Sequence, residues 1–136
     1  MKRMTGHVQW QQYITYAQGV KDEFKGVSDG QWFPLKFYQK IKYTQANNDL
    51  VELKWYNVYD DYCVELRQAN GTLVFDPRQS TFNNYQTQQG QLLLEIVTKE
   101  IHIDNNGSQC HIRINYQTKI HQEIIADYEF QLIFTH

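Results

Sequence analysis

The sequence contains few of the residues that mark the more specialised classes of protein. Among its 136 residues are two cysteines, two prolines and seven glycines. Two cysteines cannot build the disulfide framework of a small secreted domain, and Cys63 and Cys110 are too far apart in sequence to form a CxxC motif. We therefore expect two buried free thiols and no metal or other cofactor.

The sequence also lacks a strong charge of either sign and a long apolar run. Its net charge is −2, which provides no global basic field for nucleic acid. No segment approaches the ~20 consecutive apolar residues of a membrane-spanning helix. Residues 8–12, which follow the basic start of the chain, read VQWQQ and cannot be the apolar core of a signal peptide. These observations predict a cytoplasmic protein without nucleic-acid or membrane partners.

Aromatic side chains are abundant, since ten tyrosines, seven phenylalanines and three tryptophans make up 15% of the chain. They favour strands, and apolar and polar residues alternate with period two between turn residues. This pattern predicts one all-β domain over residues 1–136, with eight or nine antiparallel strands and little or no helix. Short connections indicate an up-and-down meander, and such a sheet has no exposed edge strands when it closes into a barrel. A two-sheet sandwich is the alternative architecture.

Two Asn-Gly pairs predict tight hairpin turns, because both central positions of a type I′ turn need positive φ. The first pair, at residues 70–71, places Leu66 opposite Phe75. The second pair, at residues 106–107, places Ile103 opposite Cys110.

The parity of the apolar residues changes along the strand that precedes the second turn. Leu94 and Ile96 have the opposite parity from Ile101 and Ile103. An extra residue in one strand produces such a change, so we predict a β-bulge between Val97 and Glu100, with Lys99 as its marker.

The order of several segments resembles that of the YwiB-like proteins, small bacterial proteins with a calycin-like β-barrel and no assigned function. The segments are Asp22 to Phe24, the hairpin Val64 to Phe75, the runs Tyr85 to Leu94 and His111 to Tyr116, and the closing strand Glu123 to Phe134. The resemblance covers nearly the whole chain. It implies a lipocalin- or streptavidin-like barrel, and it carries over no catalytic residue.

No group of residues has the spacing of a catalytic site. Asp60 and Asp61 are adjacent, and adjacent strand residues point to opposite faces, which makes them a poor acid–base pair. Neither Ser28 nor Ser80 lies in a nucleophile-elbow motif. The sequence therefore predicts a protein that is not an enzyme.

Two other sets of residues suggest binding but favour simpler interpretations. The predicted second hairpin places His102 opposite His111, with Asp104 two residues along, and we interpret them as an exposed polar pair rather than a metal site. Basic and aromatic residues that resemble a single-strand binding stripe are Lys36, Tyr38, Lys40, Lys42 and Lys54. We interpret this stripe as a solvated outer face.

Aromatic residues with inward parity are the candidate ligand-binding residues. They are Trp10, Tyr16, Phe37, Tyr43, Trp55, Tyr116 and Phe130. An aromatic lumen with a few hydroxyls suits a small apolar or amphipathic molecule, bound inside the barrel or at its mouth. The alternative is a packed, ligand-free barrel that acts as a protein-interaction or homodimer module, with Tyr13, Tyr38 and Tyr59 on its surface.

Overall fold

The structure, a computed structural model, describes residues 3–136, with side chains described at all of these except 85–87. Ten strands and no helix occur in this part of the chain. The strands are β1 Met4–Tyr16, β2 Lys21–Pro34, β3 Gln39–Thr44, β4 Leu50–Val58, β5 Asp61–Gln68, β6 Gly71–Phe75, β7 Thr81–Thr87, β8 Gly90–Asn105, β9 Gln109–Ile120 and β10 Glu123–Thr135. Residues 3–136 contain no helix with the length and apolarity needed to cross a membrane.

All ten strands belong to one antiparallel sheet with the order β6-β5-β4-β3-β2-β1-β10-β9-β8-β7. Consecutive strands pair with each other, except β6 and β7, which are the two ends of the strand order, and β10 returns to pair with β1. The outer strands β6 and β7 meet at a seam, where the Thr81 hydroxyl donates to the Val74 carbonyl. The sheet is therefore a nearly closed up-and-down barrel, as predicted, rather than a sandwich.

The predicted count of eight or nine strands is slightly too low, because it omits β7. This strand carries two asparagines, which have low β-propensity, and it lies at an end of the strand order, where β8 is the strand that pairs with it along the ladder. Its one phenylalanine, Phe82, points outward and is exposed. Strand β7 therefore depends on pairing with β8 rather than on an apolar pattern of its own.

One end of the barrel is filled by side chains. Trp32, Phe75 and Phe134 are each at most 1% exposed, and the rings of Trp32 and Phe134 meet edge to face with centroids 5.6 Å apart. Inward-facing aliphatic residues complete this core, namely Val8, Ile41, Leu53, Val64, Ile112 and Leu132. This end of the barrel is closed to small molecules.

The predicted register of the β5–β6 hairpin is wrong by two residues. Leu66 lies opposite Leu73, and Phe75 lies opposite Val64. The predicted register would have placed Val64 opposite Pro77, which has no N–H to donate to the ladder. The observed register pairs apolar with apolar, and a shift of two leaves the inward face unchanged.

The predicted register of the β8–β9 hairpin is also wrong by two residues. Ile103 lies opposite Ile112, and the turn residues are Gly107 and Ser108. The side-chain oxygen of Asn106 accepts hydrogen bonds from the backbone N–H groups of Ser108 and Gln109, which fixes this turn. Gly107 has φ +91°, which suits glycine as the first central residue of a type II′ turn.

The predicted β-bulge in β8 is confirmed. The pairing of β8 with β9 shifts between Thr98 and Glu100. Lys99 is the extra residue, and its side chain is exposed rather than inside the barrel. The bulge keeps Ile96 and Ile101 on the inward face although their parities differ.

Both cysteines are free and buried, as predicted. Burial raises the pKa of the Cys110 thiol to about 12, and it raises the pKa of Cys63 as well. Both thiols are therefore protonated at neutral pH, and the thiol form is a poor nucleophile.

Cys63 lies under the β6–β7 connection, which an ion pair holds against the barrel wall. The Asp76 carboxylate is buried and accepts hydrogen bonds from Nε and Nη2 of Arg78, at 3.2 and 3.1 Å. Hydrogen bonding from the Arg78 side chain lowers the pKa of Asp76 below its ordinary value of 3.8. A carboxylate whose pKa is lowered on folding stabilises the protein above its unfolded-state pKa, and this contribution is lost as the pH falls through the folded-state pKa.

We expect Asp76→Asn to lower the free energy of unfolding by about 1 kcal/mol at pH 7, since water partly screens the Arg78 end of the pair. The difference from the wild-type protein should shrink as the pH falls below about 4, the pKa of an aspartate in the unfolded chain, and through the lower folded-state pKa of Asp76. Urea unfolding at several pH values measures this. Asp60→Asn, in the exposed β4–β5 turn, is the control. A difference that stays constant down to pH about 2 would contradict the ion-pair explanation.

Candidate ligand-binding site

A cavity of about 690 Å³ occupies the end of the barrel opposite the filled core. The β3–β4 connection, at residues 45–49, and the β5–β6 turn, at residues 69–70, form part of its mouth. Binding sites for small molecules have volumes of about 300–1,000 Å³. The cavity is therefore large enough to hold a small organic molecule.

Stacked tyrosines form one wall of the cavity. Tyr116 on β9 and Tyr128 on β10 are directly paired across the ladder, and their rings are parallel within 3° with centroids 4.5 Å apart. Phe75 packs on Tyr116 at 4.6 Å. Gln12 Nε2 donates to the Tyr116 hydroxyl at 2.8 Å, and the Thr118 hydroxyl lies 3.5 Å from that of Tyr128. This wall thus combines flat apolar faces with positioned polar groups.

Trp10 on β1 lies in another part of the wall, directly over Gly26 on β2. A Cβ atom at position 26 would lie 2.6 Å from the indole ring, so only glycine allows the ring to lie flat there. The indole nitrogen is buried and has no hydrogen-bond partner among the described residues. Gly26, which interrupts the apolar pattern of β2, therefore makes room for an aromatic side chain of the cavity.

The polar groups that face the cavity are mostly uncharged. Burial raises the pKa of the Tyr43 phenol well above its ordinary value, so this hydroxyl stays neutral. Among the described lining residues, Asp49 is the only charged one. Its carboxylate accepts a hydrogen bond of 2.7 Å from the Asn47 amide at the mouth. The cavity interior is thus aromatic and neutral, with a negative group at its entrance.

Four of the seven predicted residues come together in this cavity, namely Trp10, Tyr43, Tyr116 and Phe130. Trp55 points inward as predicted, but it lies in the filled core. Tyr16 is half-buried at the end of β1 and does not line the cavity.

The predicted inward position of Phe37 is wrong, because its side chain is 81% exposed. Strand β2 continues to Pro34 and β3 begins at Gln39, so Phe37 lies in a connection rather than in a strand. The alternation of apolar and polar residues continues through this connection in the sequence, but the extended strand conformation of the backbone does not.

Several lining residues were not among the candidates. Tyr128 and Gln12 are the most important, because they hold Tyr116 in place. Tyr128 has the same parity as Phe130, and Gln12 has the same parity as Trp10. The parity of Tyr128 was therefore enough to predict that it points into the barrel. The polar side chain of Gln12 gave no such indication, because a glutamine in a strand is normally expected to face solvent.

The predicted pairing of His102 with His111 is wrong. His102 lies opposite Arg113 and contacts Glu100, whereas His111 lies opposite Asp104 and contacts Gln131 at 3.0 Å. The described residues contain no group of three His, Cys, Asp or Glu side chains placed to bind a metal ion.

The basic stripe lies on the outer wall, and neighbouring side chains hold its lysines. Lys40 lies 3.6 Å from the Glu52 carboxylate and 5.2 Å from the centre of the Phe33 ring. Lys54 lies 4.4 Å from the centre of the Tyr38 ring. Neighbouring side chains of the outer wall therefore contact Lys40 and Lys54.

The fold and the cavity define an antiparallel up-and-down β-barrel that is filled at one end and hollow at the other. Residues 8–132 match the family described as Domain of unknown function (DUF1934), and the chain belongs to this family. The crystal structure of the ywiB protein from Bacillus subtilis is similar, with a TM-score of 0.75 and 14% identity over 98% of this chain and 92% of that one. At this identity the similarity shows the fold alone, and it agrees with the predicted YwiB-like, calycin-like barrel. No curated protein matches the sequence.

Proposed function

We propose that this protein is a non-catalytic binding protein that holds a small apolar or amphipathic molecule in the open end of its barrel. The observation that carries the proposal is the cavity of about 690 Å³ with Trp10, Tyr116 and Tyr128 in its wall. Burying apolar ligand surface against such rings contributes about 25 cal/mol per Å² before the entropic cost of binding. The hydroxyls and the Gln12 amide supply the few polar contacts that orient a bound molecule.

The lining also supports a role without catalysis. Among the described lining residues there is no histidine, no cysteine and no pair of carboxylates. General acid–base and nucleophilic catalysis normally depend on such groups held within hydrogen-bond reach of each other. The two free, buried thiols favour a reducing compartment, and we place the protein in the cytoplasm.

We expect the purified protein to bind the neutral, environment-sensitive dye Nile red at one saturable site. The dye should fluoresce more strongly and at shorter wavelength, because it leaves water for an aromatic cavity. Fluorescence titration at fixed protein concentration measures this, and lysozyme at the same concentration controls for weak adsorption. A signal that rises linearly without saturation, or that is no stronger than the signal with lysozyme, would contradict the proposal.

A second candidate function is a homodimer that forms through the rim of the mouth. Val20, Leu50 and Ile124 lie at this end of the barrel, and each is more than 40% exposed. An apolar rim of this kind is typical of interaction surfaces. Sedimentation velocity over a range of concentrations tests this candidate, because a dimer through this rim requires a concentration-dependent increase in mass. A monomer at all concentrations would exclude it.

A further inference from the structure

We infer that the molecule bound in the cavity is an organic cation with an apolar body, such as an amphiphilic amine or a quaternary ammonium compound. This inference rests on the proposed binding function and adds a ligand charge to it. Its basis is the combination of aromatic faces and carboxylates at one end of the barrel.

The aromatic faces are the first part of the argument. Six aromatic side chains line the cavity, from Trp10, Phe24, Tyr43, Tyr116, Tyr128 and Phe130, and the stacked rings of Tyr116 and Tyr128 cover one face of each other. The face of an aromatic ring carries partial negative charge and attracts a cation within about 6 Å of its centre. Several rings together replace part of the hydration that a bound ammonium group loses.

The carboxylates are the second part of the argument. Asp49 lines the mouth, on the β3–β4 connection. Asp22 lies directly opposite Ile14, and Ile14 lines the cavity. Directly paired residues of an antiparallel ladder have side chains on the same face, so Asp22 also belongs to the inward face near the mouth. Two negative groups at the entrance attract a cation and repel an anion.

Two lysines at this end of the barrel, Lys21 and Lys119, belong to the outer face. Lys21 lies opposite Thr15, and Lys119 lies opposite Glu95, on the positions that alternate with the inward ones. None of the described lining residues is Lys, Arg or His. A carboxylate or phosphate head group would therefore enter the cavity without a positive partner, which is unfavourable in a partly desolvated site.

Three compounds with alkyl chains of seven or eight carbons and different head groups test the inference, namely n-octyltrimethylammonium, n-octanol and n-octanoate. Isothermal titration calorimetry at low salt, below the micellar range of each compound, gives the three affinities. We expect the cation to bind about tenfold more tightly than the alcohol and the carboxylate to bind most weakly. Equal affinities, or the tightest binding by octanoate, would overturn the cationic preference and leave the proposed binding function intact. If none of the three binds, both fail.

Asp49→Asn tests the role of the mouth carboxylate. The substitution keeps a side-chain oxygen for the hydrogen bond from Asn47, and we expect it to weaken binding of octyltrimethylammonium about two- to fivefold with little effect on octanol. Asp104→Asn is the matched control, because it makes the same change in net charge at the exposed end of β8, beside the closed end of the barrel. Equal weakening by both variants, or weakening of octanol as much as of the cation, would contradict a specific role for Asp49.

Discussion

A Leu94→Trp variant is expected to bind Nile red at least about tenfold more weakly than the wild-type protein, with its fold retained. Leu94 lies on β8, lines the cavity and is half-buried, so a larger ring can extend into open space rather than into packed core. There the indole occupies volume that a bound molecule needs and covers part of the aromatic wall. Fluorescence titration measures the loss, and circular dichroism checks the fold.

The neighbouring residue provides the control for this variant. Leu93 is 59% exposed on the outer face of the same strand. Leu93→Trp makes the same chemical change one residue away and should leave binding within about twofold of the wild-type value. Equal losses in the two variants would mean that the dye binds to the outer surface of β8 rather than in the cavity.

Trp32→Ala is expected to have the largest effect on stability, a loss of about 3–5 kcal/mol in the free energy of unfolding. The Trp32 side chain fills the closed end of the barrel, packs on Phe134, and donates a 2.9 Å hydrogen bond from Nε1 to Gln39. Its removal leaves a void and removes the hydrogen bond to the Gln39 amide oxygen. Urea denaturation measures the loss.

Val27→Ala on the same strand is the control, since Val27 is 76% exposed on the outer wall. We expect it to change the free energy of unfolding by less than about 0.5 kcal/mol. A Trp32→Ala variant as stable as Val27→Ala would contradict the division of the barrel into a filled end and a hollow end.

The side-chain pattern predicted the fold because one property, the alternation of inward and outward residues, recurs in nearly every strand. Trp10, Tyr43 and Phe130 have inward parity in the sequence and lie inside the barrel in the structure. The two hairpin registers were wrong by two residues, which changed partners but not faces. An error of two residues in register therefore leaves the predicted fold unchanged.

The location of the cavity was less predictable. Tyr43 and Trp55 both point inward, yet Tyr43 lines the cavity and Trp55 lies in the filled core. Parity says which face a residue occupies but not how far along the barrel axis it lies. That height depends on the stagger between all the strands, which no single segment of sequence encodes.

The exposed position of Phe37 has a similar cause. Phe37 has the same parity as Leu35 and Ile41, as residues on one face of a strand do, but the backbone leaves the sheet after Pro34. A proline lacks the N–H that continues a ladder, and this residue was the local signal for the end of β2. Gly26 was a local signal of another kind, for the position of Trp10, since a glycine within a strand often marks the close approach of another group.

The central claim is that a small molecule binds inside the open end of the barrel, and a methyl ¹H–¹³C NMR titration with n-octanol tests it most directly. Binding there should shift the methyl signals of Ile14, Leu66, Leu73 and Leu94, which line the cavity. The signals of Ile41 and Leu53 in the filled core, and of Val27 on the outer wall, should stay in place. Shifts confined to outer-wall methyls, or no saturable shift at the four cavity residues, would contradict the claim.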